Sequence, residues 1–365
     1  MRQALPFRPF FLLAALSALV LLGAWLAALT GAWRPEGIPA FWHARELIFG
    51  FMGAVLAGFF GTATPKWTKG PELTGWPLLA MLAAWVPGRL GGPELLPWAL
   101  AAWTGWLIFR SRSTRNLLFP VLLTGLGACG LWLDLVPEEG SRALSTALHL
   151  LLAIVVVFAG RITPMFTRNA LKRAGVQFSI RERNRGDDLV IALTLLAVLA
   201  VAVLEQGPLL AATLGLAGLA NLVRMWGWAG SKTLRDPLLW SLHLGYAWVG
   251  VGLLTEAAAA MGALAPSTAL HAVSVGALSA TMFTMLTRVA LGHTGRPLKA
   301  HLAISVAYVA ISLAAWVRVF VPLLLPSELV LSWHLAGGLW CLAFALYLVV
   351  YLPILLKPRL DGKPG

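Results

Sequence analysis

The chain has 365 residues, of which 59% are hydrophobic and only 12% charged, and its mean hydropathy is +0.80. A soluble domain carries about 25% charged residues, so this composition excludes an ordinary soluble enzyme, a disordered chain and a nucleic-acid-binding domain. The net charge of +13 lies in short loops between apolar runs, and it therefore does not indicate a nucleic-acid partner. The composition predicts a polytopic membrane protein with the lipid bilayer as its solvent.

Twelve apolar runs follow one another, each bounded by Pro, Gly or charged residues. A membrane-spanning helix needs roughly 20 mostly apolar residues, and twelve of them leave no room for a soluble domain. We therefore expect an all-α protein with a single twelve-helix transmembrane domain over residues 1–365. The spans are predicted near residues 10–30, 44–64, 73–87, 94–109, 117–136, 142–160, 188–205, 208–223, 238–260, 267–287, 299–321 and 328–355.

The distribution of basic residues predicts the orientation. If both termini are cytoplasmic, 23 of the 28 Lys and Arg residues lie on the cytoplasmic side and five on the outer side. Short cytoplasmic loops carry such an excess in membrane proteins. The longest loop, residues 161–187, holds seven of these basic residues, which is typical of topology retention and contact with anionic lipid.

Similar motifs end three of the predicted helices. PMFTRNAL ends the sixth helix at 164–171, TMLTRVAL ends the tenth at 284–291, and the weaker TATPKWT ends the second at 62–68. Each of these helices also carries a histidine toward its outer end: His43, His149 and His271. The interval suggests three parallel four-helix repeats. The alternative is a common composition at the inner boundary of membrane helices.

Histidine is the ionisable residue that stands out in the spans, and intramembrane ionisable residues are usually functional. His43, His271 and His334 lie in the outer third of helices that run in the same direction. Neutral imidazole is a ligand for haem iron and copper, so these three are candidate haem-binding and metal-binding residues. His149 lies deeper and is a weaker candidate. Packing without a metal is the alternative for each of them.

Two further features bear on such a site. Glu46 follows His43 by three residues on one helix face and could orient its ring from the second shell; its alternative role is a favourable charge at a helix start. The chain has two cysteines and no Cys-x-x-Cys-His motif, so any haem would be held non-covalently, as b-type haem.

An inner group of histidines comprises His243, His293 and His301. These residues lie near predicted inner helix ends and could form a second metal site. Interfacial side chains that reach water are the alternative.

Five segments of the chain together resemble the NnrS family. They are PFRPFF at 6–11, WHARELIFGF at 42–51, GRITPMFTRN at 160–169, HLGYAW at 243–248 and MLTRVALGHTGRPL at 285–298. The resemblance covers essentially the whole chain. It implies a twelve-helix inner-membrane protein that binds haem and copper and is linked to nitric oxide, through denitrification or resistance to nitrosative stress. The metal-binding candidates that it carries over are His43, His243, His271, His293 and His334, whereas His149 and His301 are not carried over.

The chain departs from the family at one position. The family pattern in the second helix usually reads His-x-His-Glu, and Arg45 stands here in place of the second histidine. The number of helices and the histidines at intervals of four helices are also similar to subunit I of haem–copper oxidases and nitric oxide reductases. That superfamily has a paired His-x-His in its tenth helix, which this chain lacks, so a two-haem active site is not expected.

The leading hypothesis is a haem- and copper-binding membrane protein that binds or metabolises nitric oxide. If it is an enzyme, we expect nitric oxide oxidoreductase activity with an external electron donor, because the chain contains no electron-donating domain. The alternatives are a non-catalytic sensor or metal-delivery protein, and a small-molecule transporter without redox chemistry.

Overall fold

A computed structural model describes residues 4–33 and 41–362, and all regular secondary structure in these two ranges is helical. Three basic residues counted in the topology prediction, Arg2, Arg34 and Lys363, lie outside the described residues. The remaining basic residues of that count lie within them.

Twelve helices of at least 14 residues follow one another in the described part of the chain. Their bounds are α1 Phe7–Leu29, α2 Trp42–Thr68, α3 Trp76–Arg89, α4 Leu95–Arg110, α5 Leu118–Leu135, α6 Gly140–Arg173, α7 Arg185–Val203, α8 Pro208–Trp226, α9 Pro237–Ala260, α10 Pro266–His293, α11 Leu302–Leu324 and α12 Leu329–Leu356.

Ten of these helices are long and apolar enough to cross a bilayer, which makes the chain a multi-pass membrane protein. The other two are α3, with 14 residues, and α4, with 16. At 1.5 Å per residue they are about 21 and 24 Å long, against a hydrocarbon core of about 30 Å. The count of twelve spans therefore stays a prediction at α3 and α4.

The outer surface of the helices carries apolar stripes. In α7, Leu189, Leu196, Leu199 and Val203 are 49–69% exposed, and their spacing places them on one side of the helix. A stripe of this kind would be unfavourable in water, whereas lipid tails solvate it. Beyond its charged first turn, α7 thus has one apolar side buried in the protein and another apolar side suited to lipid.

The sixth helix is longer than the sequence predicts. The apolar span predicted near 142–160 covers only part of α6, which continues to Arg173, two residues beyond the motif at 164–171 that was predicted to end it. The connection to α7 is therefore shorter than the loop predicted over 161–187. Pro164 lies inside α6. A proline removes only one backbone donor, and membrane helices tolerate it, so the Gly-Arg-Ile-Thr-Pro segment does not end the helix.

The described chain groups into two compact units. Unit 1 consists of residues 1–147, 285–298 and 344–365 within the described ranges, and unit 2 consists of residues 148–284 and 299–343. In unit 1, α1 packs on α2, α2 on α4, and α4 on both α3 and α5. In unit 2, α7 packs on α8, α8 on α9, and α9 on α10.

Two of the histidine-bearing helices contain a π-helical segment. It covers Glu46–Met52 in α2 and Ala272–Ser279 in α10, beginning three residues after His43 and directly after His271. π-Bulges are rare and occur frequently at functional sites. The same irregularity at similar places in α2 and α10 agrees with the predicted relationship between these helices, although the four-helix repeat itself stays a prediction.

Candidate metal-binding histidines

His271 and His334 occupy equivalent positions in α10 and α12 of unit 2. Each lies five residues after the first residue of its helix, Pro266 or Leu329. The Nδ1 atom of His271 lies 2.6 Å from the carbonyl oxygen of Ser267, and that of His334 lies 2.8 Å from the carbonyl oxygen of Val330. In both cases the partner is the carbonyl four residues earlier in the chain.

This contact determines which ring nitrogen is available to a metal. A carbonyl oxygen only accepts, so Nδ1 carries the proton and donates it. The Nε2 atom then carries the lone pair, which is the form in which imidazole binds iron or copper. In His334 the Nε2 atom is also buried and has no hydrogen-bond partner in the described part of the chain. The donor chemistry of these two residues therefore fits a metal.

His43 belongs to unit 1 and is held by an aromatic contact. Its ring stacks on Trp25 of α1, with 4.9 Å between the ring centroids and 15° between the planes. The expectation that His43, His271 and His334 share one site stays a prediction, because His43 belongs to one unit and the other two belong to the second.

His149, the weaker candidate, has a buried carboxylate partner. Its Nε2 atom lies 2.7 Å from Oε2 of Glu256 in α9, and both side chains are buried in unit 2. The sequence analysis missed Glu256. Its signal was a lone carboxylate inside the apolar run 238–260, which is the intramembrane ionisable residue that marks a function by default.

His243 of α9 is buried, and one of its ring nitrogens is unsatisfied. Its Nε2 atom lies 2.9 Å from Oγ1 of Thr167, whereas Nδ1 is buried without a hydrogen-bond partner among the described residues. Gly230 packs closely against the ring, because a Cβ at that position would lie 3.0 Å from Nδ1. His243 thus also offers a nitrogen that a metal could use.

A buried polar network lies next to His243 in unit 2. Arg224 donates to Asp187 at 2.8 Å, to the carbonyl of Val156 at 3.0 Å and to the hydroxyl of Tyr246 at 3.0 Å. The hydroxyl of Tyr246 donates in turn to Asn221 at 2.7 Å. The charge of Arg224 is paired with Asp187, and its Nε and Nη1 atoms donate to three acceptors, so this network has a structural role.

His293 lies in unit 1 and contacts a cation. The ammonium group of Lys66 donates to Nδ1 of His293 at 2.7 Å, and the ring of Phe7 lies 5.5 Å away. With Nδ1 accepting, Nε2 carries the proton, so metal binding by His293 would require this contact to change. Arg359, which follows α12, donates to the His293 carbonyl at 2.7 Å, and its hydrogen bond to Asp361 raises the pKa of Arg359.

The described structure divides the predicted inner group. His243 and His301 belong to unit 2, and His293 to unit 1. His301 is exposed and caps α11, since its Nδ1 accepts from the backbone N–H of Ala303 at 3.2 Å. No group of three or more His, Cys, Asp or Glu side chains in residues 4–33 and 41–362 is arranged to hold a metal ion. The second metal site stays a prediction.

The comparison with protein families decides the membership of the chain. The model of the family described as NnrS protein matches residues 3–359. The chain belongs to the NnrS family. No curated protein matches the chain significantly. Membership in NnrS fits a membrane protein that is related to nitric oxide.

The family resemblance predicts a second histidine at residue 45, where this chain has an arginine. Arg45 of α2 donates to Glu94 at 2.9 Å, to Asp134 at 2.8 Å and to the carbonyl of Gly92 at 2.7 Å. Its side chain is 18% exposed, while that of Glu94 is 3% exposed. Arg45 therefore neutralises carboxylates within unit 1.

Glu46 takes part in the same group of charges. Its Oε2 atom accepts from Arg89 at 2.8 Å, and Arg89 also donates to both oxygens of Glu94. Gly50 makes room for this contact, because a Cβ there would lie 2.2 Å from the Arg89 guanidinium. The carboxylate thus has an arginine partner, and the predicted orientation of His43 by Glu46 stays a prediction.

Proposed function

We propose that this chain is a haem- and copper-binding protein of the bacterial inner membrane that binds or metabolises nitric oxide, with both termini in the cytoplasm. The observation that carries the proposal is the state of the two ring nitrogens of His334. Its Nδ1 donates to a backbone carbonyl, and its buried Nε2 is left with a lone pair and with no hydrogen-bond partner in the part of the chain that the structure describes. A buried polar atom without a partner is costly, and a bound metal would remove that cost.

His271 supports the proposal because it has the same contact at the equivalent position of α10. A π-helical segment follows it directly, and such segments occur frequently at functional sites. His243 adds a buried Nδ1 atom on α9. We propose His271 and His334 as the primary candidates for iron, and we propose His43, His243 and His293 as further candidates for iron or copper.

A bound haem iron or copper ion would supply a metal position at which nitric oxide can bind as a ligand. The chain would supply imidazole nitrogens, an apolar surrounding and access through the lipid phase. Nitric oxide is small and apolar enough to enter through the bilayer, so the site needs no polar channel. Any turnover would require electrons from an external donor.

The first prediction concerns haem content. The full chain purified from cells supplied with haem and copper should show a reduced-minus-oxidised haem spectrum and contain copper. Replacing His334 or His271 by Ala should lower the haem content at least tenfold, because Nε2 would be lost, and added imidazole should restore part of it in His334→Gly. His301→Ala is the matched control, since His301 is exposed and caps a helix. A wild-type chain without haem would contradict the proposed function.

Activity separates an enzyme from a sensor or a metal-delivery protein. With an added electron donor, an enzyme should consume nitric oxide at a steady rate. A sensor or delivery protein should bind nitric oxide once and then stop. The stoichiometry of consumption measured with a nitric oxide electrode distinguishes the two.

A further inference from the structure

Arg318 of α11 is a buried charge that has no carboxylate partner among residues 4–33 and 41–362. It is 9% exposed and lies six residues before the end of the helix, inside unit 2. In the described part of the chain no carboxylate lies within 4.0 Å of its guanidinium, and its buried Nη1 atom has no hydrogen-bond partner. A charge buried without a partner is strongly unfavourable.

Arg224, the buried arginine of unit 2 described above, shows which hydrogen-bond acceptors a buried guanidinium requires. Arg224 has a carboxylate, a carbonyl and a hydroxyl as acceptors. The one partner of the Arg318 guanidinium among the described residues is the ring of Trp333, whose centroid lies 5.9 Å from Cζ. A cation–π contact uses the face of an aromatic ring and does not accept the N–H groups at the edge of a guanidinium.

Trp333 adds a second unsatisfied donor at the same place. Its indole Nε1 atom is buried and has no partner in the described residues. An indole nitrogen and a guanidinium nitrogen only donate. Both donors can therefore be satisfied by one acceptor, and the positive charge of Arg318 favours an acceptor that is an anion.

We propose that Arg318 and Trp333 form a binding site for an oxygen-bearing anion, either a carboxylate or a small oxyanion. Arginine binds carboxylates with two donors in a fixed geometry and forms strong charge-assisted hydrogen bonds with them. His334 follows Trp333 in α12 and presents the free Nε2 atom described above. Two adjacent residues of α12 thus provide different groups: Trp333 an N–H donor for an anion, and His334 a lone pair for a metal ion.

Two sources could supply this anion. One is a carboxylate carried by a metalloporphyrin that binds to His334, and this source rests on the proposed function. The other is a free oxyanion that enters unit 2 by itself, and this source does not. The chemistry at Arg318 is the same for both, so the experiment must separate them.

The first arm compares haem b with its dimethyl ester, whose carboxylates are blocked, on the haem-free full chain. If Arg318 binds a haem carboxylate, wild type should bind haem b about 10- to 100-fold more tightly than the ester, as expected for hydrogen bonds to a charged group. Arg318→Gln should lose this preference, and Trp333→Phe should reduce it severalfold. Absorbance titration measures the affinities without any need for activity.

The second arm titrates the haem-free chain with sodium nitrite and sodium acetate and follows binding by calorimetry. If the anion is free, wild type should bind one of these ions, Arg318→Gln should weaken binding at least tenfold, and haem b and its ester should bind equally. Arg235→Gln is the control in both arms, because Arg235 is exposed in the same unit and the substitution removes the same charge.

The inference is overturned if Arg318→Gln and Trp333→Phe behave like Arg235→Gln in both arms. If Arg318→Gln does not fold, Trp333→Phe and Arg318→Lys replace it in the test. Trp333→Phe keeps an aromatic ring at residue 333, and Arg318→Lys keeps the positive charge at residue 318. If wild type binds no haem, the proposed function fails, while the nitrite and acetate titrations still decide the anion site. If wild type binds neither haem nor these anions, the anion site is rejected as well.

Discussion

At the scale of single residues, the partners of the histidines define their chemistry. His271 and His334 contact backbone carbonyls, His149 contacts a carboxylate, His293 contacts an ammonium group and His301 caps a helix. The sequence placed these residues by depth along their helices. It could not distinguish their protonation states, because each state depends on the atom that the ring nitrogen meets.

The His149–Glu256 contact leads to a prediction about stability. Replacing Glu256 by Ala should lower the free energy of unfolding by about 1–3 kcal/mol, because the buried imidazole loses its hydrogen-bonded partner. Glu256→Gln should cost less, since an amide can still form a hydrogen bond with a neutral imidazole. Thermal unfolding in detergent measures the difference. Glu182→Ala, at an exposed position, is the control, and equal effects of Glu256→Ala and Glu182→Ala would show that the contact contributes nothing.

At the scale of elements, small residues allow helices to approach buried charges. A Cβ on Gly160 of α6 would lie 2.4 Å from the guanidinium of Arg224 in α8. A longer side chain at residue 160 would push Arg224 away from Asp187 and Tyr246. In the sequence, Gly160 is only the first residue of a motif near the end of a helix. Its role in making space for the Arg224 guanidinium follows from the packing of α6 against α8.

The packing of Gly160 against Arg224 leads to a further prediction about stability. Gly160→Ala should destabilise the protein by about 1–3 kcal/mol, which is the usual cost of overpacking. Gly23→Ala in α1 should be neutral or slightly stabilising, because a Cβ there meets no atom within 4 Å and alanine favours the helix. Denaturation of both variants in the same detergent gives the comparison. A stable Gly160→Ala together with an unstable Gly23→Ala would contradict this account.

Helix boundaries illustrate the limit of local patterns. Most predicted spans end within a few residues of the helices, because apolar composition and helix length follow from the chain itself. The loop predicted over 161–187 is too long because a Pro and a basic residue mark only the end of the apolar part of α6, and the helix itself continues to Arg173. The π segments in α2 and α10 were not predicted, since a single extra residue per turn leaves no clear signal in composition.

At the scale of the whole molecule, the distribution of charge predicts the topology. Alkaline phosphatase fused after Gly365 should be inactive, and a green fluorescent protein at the same position should fluoresce, because basic loops stay in the cytoplasm. Alkaline phosphatase inserted at Gly262, in the turn between α9 and α10, should be active. Active phosphatase at both positions would contradict the predicted orientation. The same pair of reporters placed in the connection between α3 and α4 would test whether these short helices cross the bilayer.

The sequence by itself determined the solvent, the helical class, the family and the set of intramembrane histidines, because hydropathy, length and motifs are local properties of the chain. Only the tertiary structure decided the partners: Glu256 meets His149 across 107 residues, and Lys66 meets His293 across 227. It also revealed that Arg45 pairs with carboxylates, whereas no carboxylate of the described residues lies within 4.0 Å of Arg318. These contacts depend on how each helix is rotated about its axis and how far it is shifted along that axis relative to its neighbours. Both are determined by the packing of side chains that are far apart in the sequence, so a local pattern does not reveal them.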